Sequence, residues 1–252
     1  MTMSDFYIGY LSSVPPAIRK RVRIAVALVV LFGVAGAALF AGVQGKFANS
    51  FFDYGKPAEF TGTLQLHPFP TLVPDNADAA EAGSRAPYLL VAPGKFGADA
   101  LLAGLDATRV QLRGTLIHRA EGHAIEIEPG TLRKLQSSPV APGEIGDLGD
   151  VTLNGEIVDT KCYLGVMNPG EGKVHRDCAA RCLSGGIPPA LVTRDWDGVT
   201  RLFLLIGENG APLPKADFLQ RVGQPVSIQG HAFASEGLYY LRTTPSGIQV
   251  LP

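Results

Sequence analysis

The sequence predicts a mainly β protein with one N-terminal transmembrane helix followed by two tandem five-stranded barrels. Three observations carry that expectation. Residues 24–43 form an uncharged apolar run, the remainder alternates in short strand-like stretches punctuated by Gly and Pro, and one strand pattern occurs twice, within 57–130 and within 151–252. A chain of 252 residues has room for one large domain or two small ones. Apolar residues make up 46% of it, which excludes a mostly disordered chain, and a net charge of −1 lacks the basic footprint of a nucleic-acid binder.

The apolar run reads IAVALVVLFGVAGAALFAGV from Ile24 to Val43. Its twenty residues, at about 1.5 Å each, match roughly the 30 Å hydrocarbon core of a bilayer. The alternatives are a buried core helix and a cleaved signal peptide. A signal peptide has a shorter apolar region and a small-x-small cleavage site, and Gln44–Phe52 offers no such site. Arg19, Lys20, Arg21 and Arg23 crowd one edge of the run and only Lys46 lies beyond the other. The positive-inside bias therefore predicts a cytoplasmic basic tail at 1–23, a single span at 24–43 in contact with membrane lipid, and the rest outside the cytoplasm. Residues 1–50 carry a net +4, leaving −5 for 51–252, so the outer part is mildly acidic.

In the repeat, VQLRGTLIHRAEGHAIEIE at Val110–Glu128 corresponds to VSIQGHAFASEGLYYLRT at Val226–Thr243. Each is an alternating strand with a central glycine, a Glu-Gly turn and a second alternating strand, the grammar of a hairpin. Upstream, ADALLAGL matches ADFLQRVG with apolar residues at helical spacing, Tyr88–Val91 matches Phe203–Ile206, and Phe60–Leu64 matches Leu153–Ile157. Three strands, a short helix and two strands in that order resemble the OB-fold, a partly open five-stranded barrel. Between the copies, 136–150 is rich in Pro, Gly and Ser and reads as a linker. A second polar loop, 74–87, interrupts the first copy.

The second copy has 22 extra residues between its first and third strands, and all three cysteines lie there. Cys162, His175, Cys178 and Cys182 stand in a Cys-x12-His-x2-Cys-x3-Cys arrangement, the ligand number of a closed tetrahedral metal site. VHRDCAARCLSGG reads as a helix capped by Gly185-Gly186. His175 and Cys182 are then separated by about 10.5 Å of rise, so one ion reaches both only if His175 stands before the first turn. Thiolate ligands with a histidine outside the cytoplasm suit a copper or zinc ion. The alternative for Cys178 and Cys182, at i and i+4, is a disulfide, structural or redox-active. Arg176 and Arg181 are cations able to lower the thiol pKa values.

The stretch GEIVDTKCY followed by HRDCAARC is similar to a group of small extracytoplasmic bacterial proteins with a Cys-Tyr, a His-x2-Cys-Ala-x2-Cys and a Ser-Gly-Gly. That resemblance covers roughly 153–243 and implies a periplasmic location on the bacterial inner membrane, with no settled activity. NPGEGK at 168–173 lacks the first glycine and the Ser/Thr of a phosphate loop and reads as a lid over the cysteines. His67, His118, His123 and His231 read as surface or hydrogen-bonded side chains, Tyr163 as packing, and no hydrolase motif occurs. The expected role is that of an accessory or assembly protein for a redox or metal-handling membrane complex, whose partner is another membrane or periplasmic protein rather than nucleic acid. The alternatives are a thiol-disulfide redox protein using Cys178 and Cys182, and a docking module with a structural disulfide.

Overall fold

A computed structural model describes residues 15–43, 49–75, 86–136 and 145–252. The N-terminal unit is a helix, α1 (Pro16–Val43), which is long and apolar enough from Ile18 to Val43 to cross a membrane, with a mean hydropathy of 2.7. It starts eight residues before the apolar run. Proline is preorganised for the first helical position, and the basic residues that follow are good helix formers. Residues 1–14 of the expected basic tail lie outside the described residues.

Residues 48–252 form the second unit, which contains both barrels. The first barrel uses β2 (Ala58–Gln65), β3 (Thr71–Pro74), β4 (Tyr88–Ala92), β6 (Arg109–Arg119) and β7 (Gly122–Ile127). Around it lie the short strands β1 (Ser50–Phe52), β5 (Phe96–Gly97) and β8 (Arg133–Lys134), and one helical turn, α2 (Asp99–Leu102). Neighbours pair antiparallel except where β4 and β7 close the ring in parallel, with Leu90 opposite Ile125. The second barrel repeats the plan with β9 (Ile145–Asp159), β10 (Pro189–Thr193), β11 (Arg201–Ile206), β12 (Pro225–Ser235) and β13 (Leu238–Val250). Its parallel closure joins β11 to β13, with Leu205 opposite Leu241.

The equivalence of the copies extends to single glycines. A Cβ at Gly62 would overlap the carbonyl oxygen of Val73 on β3, and a Cβ at Gly155 would overlap that of Val192 on β10. In each barrel the first strand thus passes the second too closely for any side chain. The Glu236-Gly237 turn of the second hairpin has positive φ at both residues, 54° and 86°, as a two-residue turn between right-twisted strands requires.

Two expectations change. The segment ADFLQRVG forms two 3-10 turns, Lys215–Asp217 and Leu219–Arg221, instead of a helix, because the chain leaves helical geometry at Phe218 between them. Of the expected linker, 137–144 lies outside the described residues, and 145–150 belongs to β9, where it pairs with β12. A Gly-rich composition there marks the bulged, twisted end of a long strand, with Gly149 at φ 82° and a register shift opposite Ala232 and Phe233.

The barrels share a core. Leu64, Leu72, Leu90, Leu112 and Ile125 fill the first interior, while Ile157, Leu191, Phe203, Val226 and Leu241 fill the second. A third cluster lies between them, with Leu89, Val91, Ile117 and Ala124 from one barrel against Tyr163, Leu164, Ile187, Leu204 and Tyr240 from the other. The strand alternation explains it: β4 and β11 are apolar at every position from 88 to 91 and 203 to 206, so one face of each fills its own barrel and the other meets the neighbouring barrel.

Candidate metal centre

The insertion leaves the second barrel after Asp159 and returns at Pro189. It begins with a π-helical turn, Cys162–Val166, that buries Cys162, Tyr163 and Leu164. Asp159 anchors this turn, since the Cys162 N–H donates to its Oδ1 at 2.8 Å. The NPGEGK segment then folds back on the turn. A Cβ at Gly170 would overlap the Cys162 carbonyl oxygen, and the Gly172 N–H donates to Glu156 Oε1 at 2.6 Å. Burial raises the Glu156 carboxyl pKa while that N–H pulls it down.

Helix α3 (Arg176–Ser184) follows and packs Ala179, Cys182 and Leu183 inward. It ends at Gly185 and Gly186, the latter at φ 97°, with Pro188-Pro189 beyond, as its sequence leads one to expect. His175 occupies the N-cap position just before the first turn and uses its side chain elsewhere: its Nε2 lies 3.1 Å from Asp159 Oδ2. Asp159 is completely buried and His175 nearly so.

The three sulfur atoms converge. Those of Cys162, Cys178 and Cys182 all lie within 4.8 Å of one another, and Cys162 and Cys182 are 3.9 Å apart. All three are free thiols, two buried and Cys178 half-buried. A second group joins Asp159, Cys162 and His175 within the same limit, so Cys162 belongs to both. Either group could hold a metal ion. Among the described residues, His175 does not join all three sulfurs in one group: the expected four-residue set is two overlapping triads.

Two lysines tie this site to the first barrel. Lys95, exposed on the turn between β4 and β5, donates to Cys178 Sγ at 2.8 Å and reaches Cys182 Sγ at 3.7 Å. Lys161, only 2% exposed, runs the opposite way, donating to the carbonyl oxygens of Ala92 at 2.8 Å and Gly94 at 2.7 Å and pairing with Glu126. The main chains meet as well. The Gly97 N–H donates to the Gly185 carbonyl at 3.0 Å, and a Cβ at Gly185 would overlap the Lys95 carbonyl oxygen. Arg119 of the first barrel lies 3.9 Å over the Tyr163 ring, between Glu121 and Glu171.

These contacts divide the thiols. The Cys162 thiol is pushed well up by its contact with Cys182, by burial and by the Asp159 charge, while the same contact, helped by Lys95, draws Cys182 down. The hydrogen bond to Cys178 raises the pKa of Lys95.

Of the two cations expected near the thiols, Arg176 points its guanidinium to the Gln220 carbonyl at 3.4 Å and Arg181 is exposed on α3, and the cation hydrogen-bonded to the sulfurs is Lys95. Asp159, Lys161 and Lys95 were not foreseen as site residues. For the first two, a carboxylate and a lysine inside an apolar strand end, VDTKCYL, are the available signal. Lys95 sits 67 positions before Cys162 in an ordinary turn and carries none. Two other histidines make contacts elsewhere: His118 stacks on Phe51, and His231 lies between Asp147 and Asp150. Comparison with protein-family models, curated proteins and solved structures gives no match for this chain.

Proposed function

We propose that this chain is a single-pass protein of the bacterial inner membrane, N-terminus in the cytoplasm and barrels in the periplasm, that holds a copper or zinc ion on Cys162, Cys178 and Cys182. Its role in this reading is that of an accessory or assembly component of a redox or metal-handling membrane complex. One observation carries it. Metal–sulfur bonds of about 2.3 Å place two thiolates of one ion about 3.8 to 4.0 Å apart, and Cys162 and Cys182 are 3.9 Å apart with Cys178 beside both. The protein's own residues prepare this arrangement. Asp159 fixes the backbone of Cys162 and orients His175 behind it, α3 sets Cys178 and Cys182 one turn apart, and Lys95 supplies positive charge at the sulfurs.

Metal content and free-thiol count of the detergent-purified full chain test the reading. One ion per chain, lost on replacing any of the three cysteines by Ser, is the expected result, and a metal-free chain with three reactive thiols after anaerobic, metal-supplemented expression would refute it. A reporter fused after Pro252 tests the topology, since activity in the cytoplasm would overturn the orientation.

The Cys162–Cys182 separation also favours a second reading, thiol-disulfide chemistry between those two residues, rather than the Cys178–Cys182 pair expected from helical spacing. A disulfide found by peptide mapping after mild oxidation identifies which pair closes.

A further inference from the structure

We infer that the cargo of the three-cysteine site is copper(I), bound by three thiolates alone, and that Lys95 is the residue that keeps the site three-coordinate. This rests on the metal-site reading above. Among the described residues, the three sulfurs form a group of their own, and the neighbouring imidazole, His175, lies 3.1 Å from Asp159 and shares only Cys162 with that group. Structural zinc takes four protein ligands, whereas copper(I) is a soft closed-shell ion that three thiolates satisfy.

A fourth ligand from solvent would come from the more exposed side. Among the described residues, Cys162 and Cys182 are buried and Cys178 is half-buried, so the sulfurs are most open at Cys178. Lys95 Nζ stands on that side, 2.8 Å from Cys178 Sγ and 3.7 Å from Cys182 Sγ. An ammonium has three donors and no lone pair, so it occupies the approach without becoming a ligand. It also matches the charge. Three thiolates and one copper(I) ion carry two net negative charges, and desolvating that centre is costly unless a cation lies against it. Lys95 comes from the first barrel, so the site is complete only when the barrels are docked.

The test titrates the full chain in detergent, anaerobically, with copper(I) and separately with zinc(II), each against a colorimetric chelator. The wild type should hold one copper(I) in a site of three sulfurs by X-ray absorption, and take zinc far more weakly. Lys95→Met should keep the fold while weakening copper(I) on the order of tenfold. Zinc held by the wild type as tightly as copper(I), or unaltered copper(I) affinity in Lys95→Met, would overturn this inference while leaving the metal site standing. Failure of the wild type to bind either ion would remove the metal-site reading itself.

Discussion

Asp159 Oδ2 and His175 Nε2, 3.1 Å apart and both buried, close the first part of the insertion, from 159 to 175, into a loop whose ends lie beside Cys162. The same carboxylate accepts from the Cys162 N–H through its other oxygen. Asp159→Ala would leave a buried N–H and an imidazole without their acceptor, and should cost about 3 kcal/mol of unfolding free energy. Asp159→Asn keeps the acceptor for Cys162 and should lose about half as much. Denaturant titration of the two variants checks the order, and equal losses would mean that the His175 bond dominates.

The two lysines that cross between barrels should behave oppositely on substitution. Lys161→Met leaves Glu126 and the Ala92 and Gly94 carbonyls without their donor in a buried setting, so a loss of about 3 kcal/mol is expected. Lys95→Met removes an exposed cation and should change stability by less than about 1 kcal/mol. Thermal unfolding of both variants is the measurement, and a mild Lys161 variant would show that the clasp contributes little.

Gly185→Ala tests the docking of the β4–β5 turn. Its methyl group would overlap the Lys95 carbonyl, and relieving that overlap costs about 1–3 kcal/mol of strain. The turn should move off the sulfurs, so alkylation of Cys178 should become faster in the variant than in the wild type. An unchanged alkylation rate would mean that Lys95 does not cover that thiol.

A fragment spanning 145–252 should not fold cooperatively alone. It contains the whole second barrel, yet it would expose Tyr163, Leu164, Ile187 and Leu204, which the first barrel covers. A span of 49–252 should instead unfold in one transition. A two-state transition for the shorter fragment, followed by circular dichroism, would show that the shared core is dispensable.

The barrels were legible in the sequence because their signals are local: alternation, turn glycines and their recurrence in two copies. The cysteine cluster was legible because an insertion in one copy isolates it. The docking of the barrels was not read, although its signature was present in Tyr88–Val91 and Phe203–Ile206, where continuous apolar runs mean that both faces of a strand are covered. Nor did helix geometry reveal where His175 points. It fixes the rise between His175 and Cys182 but not the partner, and Asp159 competes for the imidazole from sixteen residues away. Lys95 lies beyond any spacing argument, because only the packing of one barrel on the other brings it to the sulfurs.

The reciprocal reach of Lys95 and Lys161 has a consequence for how such a chain can change over generations. A duplicated fold ordinarily leaves each copy free to drift, but here each copy holds a charge that belongs to the other's surroundings. A replacement on one side of the seam alters what is tolerated on the other. A graft of either barrel alone should therefore lose the contacts that Lys95 and Lys161 make across the seam.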